Sequence, residues 1–496
     1  MKCELTEAVQ RGFVPGTGTP RAVLVVGDLM LDRYLWGEVV RISPEAPVPI
    51  VRLTRETDRV GGAGNVAANL VGLGVETIVA GPVGVDAEGA RLGALLTEAG
   101  IDTSGLVECA DSPTVCKIRV IGGHQQMLRI DRERPVQSSP ASEQALTVRV
   151  LDLIERRQPA AVVLSDYAKG ALTAPICRAI IDSSRALGIP VLIDPKGRDI
   201  SKYRGATTLT PNLQELSAMC GVLSTDTEGM LAAGEQLVRE LDLDFLALTR
   251  GEAGISLLRP GQPPLHLPVT ARQVFDVSGA GDTVIATLAA GLVSGLQPAE
   301  SLELANFAAG VVVGKVGTTP ISRTELLLEL ERREVVEQAD KICELNQLLF
   351  RVAEWRQKGV RIVFTNGCFD LLHAGHVTYL EKARRFGDRL VVGLNTDRSV
   401  RVLKGESRPV IHEVDRARVL AALAAVDAVI LFDSETPLEL IRSIRPDVLV
   451  KGDDYREDQV VGGDEVKNWG GHVALVPVVP GRSSSKIISL LGNDHQ

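Results

Sequence analysis

Short apolar runs alternate with amphipathic stretches along this chain, and the alternation occurs in two separate blocks. In the first block, apolar runs typical of buried strands begin at 22–26 (AVLVV) and recur as far as 245–249 (FLALT). In the second block they begin at 361–366 (RIVFTN) and recur as far as 473–479. Buried strands that alternate with helices are typical of parallel sheets covered by helices on both faces. The sequence therefore predicts two doubly wound α/β domains, the first larger than the second.

The length of 496 residues agrees with more than one domain. We expect residues 1–325 to form the first domain and residues 358–496 the second. Between them, 326–357 is rich in Glu and Leu and carries few glycines, which indicates a helical linker. The same stretch could instead contain the last helix of the first domain.

One segment of the first block breaks the alternation of strands and helices. Pro44, Pro47 and Pro49 lie among Val and Ile within 33–53, which favours extended chain. Two further segments, 114–120 and 126–130, alternate apolar and polar residues with a period of two. Together they predict a small antiparallel β flap beside the main sheet. Because such a flap could pair with another subunit, we expect a homodimer through the first domain.

Charge and cysteine content exclude several classes of protein. The net charge of −9 gives no overall basic field, so nucleic acid is not an expected partner. The seven cysteines form no C-x-x-C pair, which favours reduced thiols over disulfides or a zinc site. No apolar run approaches the roughly 18 residues of a membrane span, and the acidic N-terminus is not typical of a signal peptide. We therefore expect a soluble, cytoplasmic protein without membrane insertion.

The densest motif of the first block is DVSGAGD (276–282), which precedes a long apolar helical stretch. A turn made of Gly279, Ala280 and Gly281 at a helix start presents backbone N–H groups to an anion, so it is a candidate anion hole. Asp282 is then placed to act as the base for a hydroxyl that attacks a phosphate. The alternative is an ordinary carboxylate that caps the helix.

Other motifs follow in the same block: GDLMLD (27–32), GGAGN (61–65), TPNLQE (210–215) and LTRG (248–251). With DVSGAGD, they make residues 20–320 resemble the ribokinase-like family of sugar kinases, although Val284 stands where many members have Phe. The resemblance implies that Asp28 or Asp32, Gly62 and Asn65 bind the sugar. It implies that Asn212 and Glu215 organise Mg²⁺ and the phosphates. The nucleotide-binding residues that it implies are Asn212, Glu215, Thr249, Gly251 and Asn306.

The second block opens with TNGCFDLLHAGH (365–376), which follows a strand and leads into a helix. His373 and His376 are three residues apart, so they share a helix face and suit contacts to triphosphate oxygens. No Cys or carboxylate is spaced to complete a zinc site, so no fixed metal site is predicted. The alternative is that the two histidines are structural.

This string resembles the H-x-G-H nucleotidyltransferase family, whose members join a nucleoside triphosphate to a phosphorylated small molecule and release pyrophosphate. A late RSSSKII segment (482–488) resembles the phosphate-binding motif of that family. The resemblance implies catalytic roles for His373 and His376. The nucleotide-binding residues that it implies are Thr365, Asn366, Gly367, Phe369, Asp370, Lys404, Ser484 and Ser485.

The pairing of the two blocks resembles the bacterial family of bifunctional heptose 7-phosphate kinases and heptose 1-phosphate adenylyltransferases. The strings RISPEAPVPIV (41–51), LSDYAKGAL (164–172), VLIDPKG (191–197) and LLHAGHVTYL (371–380) carry this resemblance. It implies two steps towards ADP-heptose, a precursor of the lipopolysaccharide core, with ATP and phosphorylated heptose as partners and Mg²⁺ as the cofactor. The residues alone predict only phosphoryl transfer to a sugar and nucleotidyl transfer.

Three alternatives remain at this point. The chain could combine another sugar kinase with a cytidylyltransferase, could be a regulator that binds ligand without turnover, or could hold one inactive domain. The sequence does not rank the candidate ligands of the sugar phosphate. These are Arg41, Lys117, Arg119, Arg129 and Lys196.

Overall fold

The computed structural model describes residues 2–13, 21–123, 125–133, 139–269, 276–315, 317–453 and 455–477. The chain divides into two compact units, Met1–Leu330 and Glu331–Gln496. Each unit has its own sheets and its own apolar core. Within the ranges given, no helix is both long and apolar enough to cross a bilayer.

The first unit begins with a helix and continues as alternating strands and helices. Its strands are β1 (Val23–Gly27), β2 (Leu29–Ile42), β3 (Pro49–Gly62), β4 (Thr77–Gly84), β5 (Asp102–Cys109), β6 (Val115–Gly122), β7 (Gln125–Arg132), β8 (Ala161–Ser165), β9 (Val191–Asp194), β10 (Thr208–Leu209), β11 (Phe245–Thr249), β12 (Ile255–Arg259) and β13 (Gln262–Leu267). Its helices are α1 (Lys2–Gln10), α2 (Ala63–Gly72), α3 (Ala87–Glu98), α4 (Pro140–Arg157), α5 (Ala174–Ala186), α6 (Leu213–Cys220), α7 (Thr227–Glu240), α8 (Ala280–Val293) and α9 (Pro298–Val312).

The main sheet of this unit has nine strands in the order β13-β12-β11-β10-β9-β8-β1-β4-β5. Its neighbouring strands are parallel from β11 to β5, and β12 and β13 add an antiparallel end. Successive side chains of β1 enter different cores: Val25 packs with α2, α8 and α9, and Leu24 packs with α4, α5 and α7. The predicted doubly wound sheet is therefore confirmed, because both of its faces are covered by helices.

The predicted flap is a separate four-stranded sheet in the order β3-β2-β6-β7. The pairs β2/β3 and β6/β7 are antiparallel hairpins, but β2 and β6 run parallel, so the prediction of a wholly antiparallel flap was wrong. The reason is the connection: the chain returns from β2 to β6 through β3, α2, β4, α3 and β5. A long crossover of this kind permits parallel pairing, which a tight turn does not.

The segment 326–357, expected to be a helical linker, contains most of α10 (Arg323–Asp340) and all of α11 (Leu345–Gln357). The division between the compact units falls inside α10. In α11, Leu348 and Val352 are buried in a core of the second unit, together with Phe364 of its first strand. Helix α11 therefore packs as a part of the second unit.

The second unit contains a five-stranded parallel sheet. Its strands are β14 (Ile362–Gly367), β15 (Arg389–Asn395), β16 (Ala428–Phe432), β17 (Val448–Gly452) and β18 (His472–Val476). Its remaining helices are α12 (Ala374–Arg384), α13 (Asp397–Lys404), α14 (Glu413–Ala421), α15 (Leu438–Ile444) and α16 (Gly463–Asn468). The strand order β16-β15-β14-β17-β18 is Rossmann-like and confirms the prediction of a second doubly wound α/β domain.

Both parallel sheets have a point at which the strand order reverses. In the first unit it lies between β1 and β8, and in the second between β14 and β17. Ligands of open α/β sheets bind at the carboxyl ends of the strands beside such a point. We therefore expect functional side chains in the loops that follow β1, β8, β14 and β17.

Candidate active sites

Asp28 follows β1 and organises the loop that follows β8. Its Oδ2 accepts the backbone N–H groups of Tyr167 (2.8 Å) and Lys169 (3.0 Å), and its Oδ1 accepts that of Ala171 (2.9 Å). The carboxyl group is buried, and burial raises its pKa against the effect of these donors. Asp28 therefore holds the loop at the β1/β8 reversal, while its implied contact to sugar stays a prediction.

Gly62 ends β3 beside this aspartate. It has a positive φ of 59°, and a Cβ atom at this position would lie 2.3 Å from the backbone oxygen of Asp28. The close approach of two backbones therefore requires glycine here. Helix α2 begins at the next residue, Ala63.

Asp282 lies in the first turn of α8, which begins at Ala280 and so starts earlier than the apolar pattern alone indicated. Gly279 precedes the helix with φ 80° and provides no side-chain cap. The first-turn N–H groups therefore lack a side-chain acceptor, although the N–H of Ala280 donates to the carbonyl of Val277 (3.2 Å). Such a helix start suits an anionic ligand.

Two donors hold the carboxylate of Asp282. The hydroxyl of Tyr167 donates to Oδ1 at 2.7 Å, and the amide of Asn65 donates to Oδ2 at 2.7 Å. The carboxylate is only 3% exposed, and burial raises its pKa to about 6 despite these two hydrogen bonds. A carboxylate with a pKa near the working pH, bonded to neutral donors, has the properties of a general base.

Asp32 lies near the start of the flap strand β2 and is also buried. Arg119 of β6 forms an ion pair with it, and the hydroxyl of Thr318 donates to it at 3.3 Å. Lys117, also on β6, is half-buried, and its partial burial lowers its pKa. Its Nζ lies 5.5 Å from the centre of the Tyr167 ring. The flap thus brings two of the candidate phosphate ligands, Lys117 and Arg119, next to the residues around Asp282.

Asn212 and Glu215 form a capping box at the start of α6. The Asn212 side chain accepts the N–H of Glu215 (2.9 Å), and the Glu215 side chain accepts the N–H of Asn212 (2.9 Å). Lys196 also donates to Glu215, at 2.7 Å. Thr249 pairs with Asn212 in an isolated β-bridge, and Gly251 follows with φ 58°. These four predicted nucleotide-binding residues therefore meet at the ends of β10 and β11.

The hydrogen bonds of Asn306 do not link it to the other four predicted nucleotide-binding residues. It lies on α9, and its amide donates to the backbone oxygens of Leu267 (3.3 Å) and Pro268 (3.0 Å). Its side chain therefore fixes the chain that leaves β13.

Sequence reasoning missed three residues of the first unit. Tyr167 and Asp166 follow β8, and Asp194 ends β9. Burial and the nearby Asp282 and Glu215 raise the pKa of Asp194 well above its usual value. The segments LSDYAKGAL and VLIDPKG, which contain Asp166, Tyr167 and Asp194, supported only the resemblance to a family. A polar residue at the carboxyl end of a buried strand is nevertheless itself a signal of a functional site.

The second unit has an open cavity of about 640 Å³ at the reversal between β14 and β17. Asn366, Gly367, Phe369 and Asp370 line it from the β14 side, and Lys451 lies at the end of β17. The lining also includes His373, His376 and Lys404. Of the described residues that the resemblance linked to nucleotidyl transfer, all but Thr365 therefore line one cavity.

The two histidines stack at the start of α12, with ring centres 4.0 Å apart and an angle of 20° between the rings. His373 precedes the helix, and its Nδ1 accepts the N–H of Gly375 at 3.1 Å. In a neutral ring this places the proton on Nε2, which makes that atom a donor. Burial, His373 and Lys404 lower the pKa of His376 to about 4. His376 is therefore neutral near pH 7 and acts by hydrogen bonding.

Asp370 anchors the loop that follows Lys404. Its carboxylate forms a buried ion pair with Arg408 (2.7 Å) and accepts the N–H of Val410 (2.7 Å). The hydroxyl of Thr365 is buried and bonded to that of Tyr379 (2.8 Å), so Thr365 lies beneath the cavity rather than in its wall. Ser484 and Ser485 lie outside the described residues.

Within the described ranges, no cluster of three or more His, Cys, Asp or Glu side chains is arranged to hold a metal ion. Metal ions are held differently in enzymes that use nucleoside triphosphates: Mg²⁺ keeps several waters and binds one or two carboxylates together with substrate phosphates. Glu215 is compatible with that mode, because its carboxylate lies at the predicted nucleotide site, where it accepts from the N–H of Asn212 and pairs with Lys196. Any such metal would therefore arrive with the nucleotide.

Comparison with known families assigns a family to each of the two units. The family described as pfkB family carbohydrate kinase matches residues 21–325, and the family described as cytidylyltransferase-like matches residues 364–489. Phosphofructokinase-2 from Escherichia coli shares the fold of the first unit, with a TM-score of 0.54 and 18% identity over 63% of this chain and 99% of that chain. The class is thus a carbohydrate kinase joined to a nucleotidyltransferase.

Full-length relatives narrow the class further. The "Bifunctional protein HldE" of Methylobacillus flagellatus is 61% identical over 96% of this chain and 97% of its own. That of Magnetococcus marinus is 57% identical over 94% of this chain and 96% of its own, and that of Pseudomonas aeruginosa is 50% identical over the same shares. The chain belongs to the HldE family of bifunctional proteins.

Proposed function

We propose that this chain catalyses two ATP-dependent reactions on phosphorylated heptose. The first unit phosphorylates D-glycero-β-D-manno-heptose 7-phosphate at O1 to give the 1,7-bisphosphate. The second unit transfers the adenylyl group of ATP to heptose 1-phosphate, which gives ADP-heptose and pyrophosphate for the lipopolysaccharide core. The resemblance of the whole chain to the bifunctional heptose enzymes supports these substrates, and the HldE relatives match both units.

In the kinase reaction, Asp282 accepts the proton of the anomeric hydroxyl. The anomeric oxygen forms a bond to the γ-phosphorus of ATP while the bond from that phosphorus to the bridging oxygen breaks, and ADP leaves. The N–H groups at the start of α8 stabilise the charge on the transferred group. Sugar binding is assigned to Asp28, Asp32, Gly62 and Asn65, and nucleotide binding to Asn212, Glu215, Thr249, Gly251 and Asn306. Support comes from the short Asp282 contacts and from its pKa of about 6.

In the adenylyl transfer, an oxygen of heptose 1-phosphate attacks the α-phosphorus of ATP in line, and pyrophosphate leaves. No covalent enzyme intermediate is needed, so positioning supplies most of the catalysis. His373 and His376 donate hydrogen bonds to the phosphates, and Lys404 neutralises charge on the leaving pyrophosphate. Their shared cavity supports this assignment. Ser484 and Ser485 complete the predicted set of phosphate contacts.

Both reactions use ATP with a divalent metal, for which we propose Mg²⁺. The metal offsets the negative charge of the phosphates. In the first unit, Glu215 is the residue proposed to face it, through water and the phosphates.

We further propose that the protein acts in the cytoplasm as a homodimer joined through the flap. Six cysteines are free thiols, which favours a reducing compartment. They are Cys109, Cys116, Cys177, Cys220, Cys343 and Cys368. The flap exposes several apolar side chains, which favours burial against a second copy. They are Val39, Val40, Ile42, Val48, Leu53, Leu128 and Ile130.

The observation that carries the proposal is that one chain contains both a held base, Asp282, and a paired histidine site in a separate unit. Mass spectrometry of the products tests it. Heptose 7-phosphate with ATP should give the bisphosphate, and heptose 1-phosphate with ATP should give ADP-heptose. A preference for CTP over ATP in the second reaction would instead support the cytidylyltransferase alternative, which the HldE relatives do not favour.

A further inference from the structure

Tyr167 donates a side-chain hydrogen bond to Asp282, as Asn65 does, but it lies outside the kinase motifs. Its hydroxyl donates to Asp282 Oδ1 at 2.7 Å, while the other oxygen accepts from Asn65. Each carboxylate oxygen has two lone-pair sites, so each keeps one for a further partner. The tyrosine therefore fixes the carboxylate without blocking it as a proton acceptor.

The backbone on both sides of Tyr167 is held. Asp28 accepts the N–H of Tyr167 itself (2.8 Å), and Asp166 accepts the N–H of Ala168 (2.7 Å). Ala168 has φ 55°, a conformation that residues other than glycine seldom adopt. The tyrosine is therefore held by a loop with a defined conformation.

A second layer of contacts fixes Asp166. Lys202 donates to its Oδ2 at 2.6 Å, and the hydroxyl of the buried Tyr203 donates to the same oxygen at 2.7 Å. These groups belong to the segment after β9, so three parts of the chain cooperate to place one phenol. Preorganised donors of this kind need no rearrangement at the moment of reaction.

The Tyr167 hydroxyl stays a donor at working pH. Burial and the nearby carboxylates raise its pKa well above the usual value for a phenol. Lys117 lies on the ring side, 5.5 Å from the ring centre, rather than at the hydroxyl. The bond to Asp282 is therefore a neutral hydroxyl donating to an acceptor.

We propose that Tyr167 is a positioning residue of the kinase reaction, whose hydroxyl orients the Asp282 carboxylate and keeps it ionised when the sugar hydroxyl arrives. The inference rests on the proposed role of Asp282 as the base. It assigns to the loop after β8 a part in catalysis beyond substrate binding.

The test is Tyr167→Phe in the full chain, with kcat and KM of the kinase reaction measured from pH 5 to 9. A hydrogen bond donated to a carboxylate favours its ionised form, so its loss raises the pKa of Asp282. The acid limb of kcat/KM should move up by about one pH unit. At pH values below the acid limb, kcat should fall about tenfold, and above pH 8 it should approach the parent value. The KM for the sugar phosphate should change little.

The matched control is Ser256→Ala, which removes a buried hydroxyl of β12 that bonds to His266 (2.8 Å) and belongs to neither Asp282 nor the loop after β8; its acid limb should stay in place. Adenylyl transfer by the second unit is measured on each variant to verify the sample. Should Tyr167→Phe fail to fold, 3-fluorotyrosine at position 167 replaces it. Its hydroxyl is a stronger donor, so the limb should move to lower pH.

An unmoved acid limb in the folded Tyr167 variant would overturn the proposal. So would a raised KM with the limb in place, because that result would make Tyr167 a contact of the sugar. A parent chain that adenylylates heptose 1-phosphate but never phosphorylates heptose 7-phosphate would overturn the proposed kinase function itself. The two failures are thereby distinguished.

Discussion

Asp282 holds a negative charge where little water reaches it, and this has a cost in stability. Its pKa of about 6 lies above the usual value of 3.8, so the folded state binds a proton more readily than the unfolded state. Ionised Asp282 therefore destabilises the first unit above pH 6, by about 2 to 3 kcal/mol. Below about pH 4 the group is protonated in both states, and the penalty vanishes.

Asp282→Asn should consequently stabilise the first unit while abolishing the kinase reaction. We expect its free energy of unfolding to rise by about 2 kcal/mol at pH 8 and the gain to disappear between pH 6 and 4. Hydrogen exchange of the α8 amides measures this. Asp226→Asn, at the exposed start of α7, is the control and should change little. A gain that did not depend on pH would contradict the explanation.

His376 contributes to the second site as a neutral group. Because its pKa is lowered to about 4, its protonation should leave the rate of pyrophosphate release unchanged above about pH 5. Loss of its hydrogen bond to the phosphates in His376→Ala should reduce that rate by about 10²- to 10³-fold. His412→Ala, which removes an exposed histidine of the same unit, should keep the parent rate. An acid limb near pH 6.5 that vanished in His376→Ala would show a charged histidine instead.

At the scale of elements, the loop after β8 depends on one carboxylate. Asp28→Ala would leave three N–H groups, at Tyr167, Lys169 and Ala171, without their acceptor. Because a buried donor without a partner is costly, we expect the first unit to lose about 3 kcal/mol and the kinase reaction to fail. Denaturant unfolding and the two activity assays measure this. Adenylyl transfer should persist; an active kinase in this variant would show that the loop does not need Asp28.

The strands were predictable where a short apolar run is continuous. The run at 245–249 coincides with β11 and the run at 22–26 overlaps β1, because a fully buried strand is apolar along nearly its whole length. The direction of β6 against β2 was not predictable, since period-two alternation fixes the face of a residue but not its partner strand. Long-range contacts decide such pairing.

The same limit applies to the site. Asp282, the two histidines and the glycine turns carry motifs that are local in sequence, so the sequence predicted them. Tyr167 acts through Asp282, which is 115 positions away in the chain, and no local pattern links the two. Likewise, only the structure shows that Asn212 and Glu215 form a capping box at the start of α6.

At the scale of the whole molecule, the flap predicts the oligomeric state. Val40 and Ile42 are 53% and 62% exposed on β2. If the flap joins two copies, glutamate side chains introduced at positions 40 and 42 would be buried in the interface without partners, which would destabilise the dimer. Val40→Glu with Ile42→Glu should therefore turn a dimer into a monomer in analytical ultracentrifugation. Val148→Glu on α4, where the parent residue is 62% exposed, should remain dimeric. A monomeric parent would contradict the proposed dimer.

The central claim is that one chain carries two independent catalytic sites, and product analysis of two variants tests it most directly. Asp282→Asn and His376→Ala are each supplied with heptose 7-phosphate and ATP, and separately with heptose 1-phosphate and ATP, and the products are identified by mass spectrometry. We predict that Asp282→Asn forms only ADP-heptose and that His376→Ala forms heptose bisphosphate with only a trace of ADP-heptose. Loss of both products in either variant, or persistence of the bisphosphate in Asp282→Asn, would contradict the account.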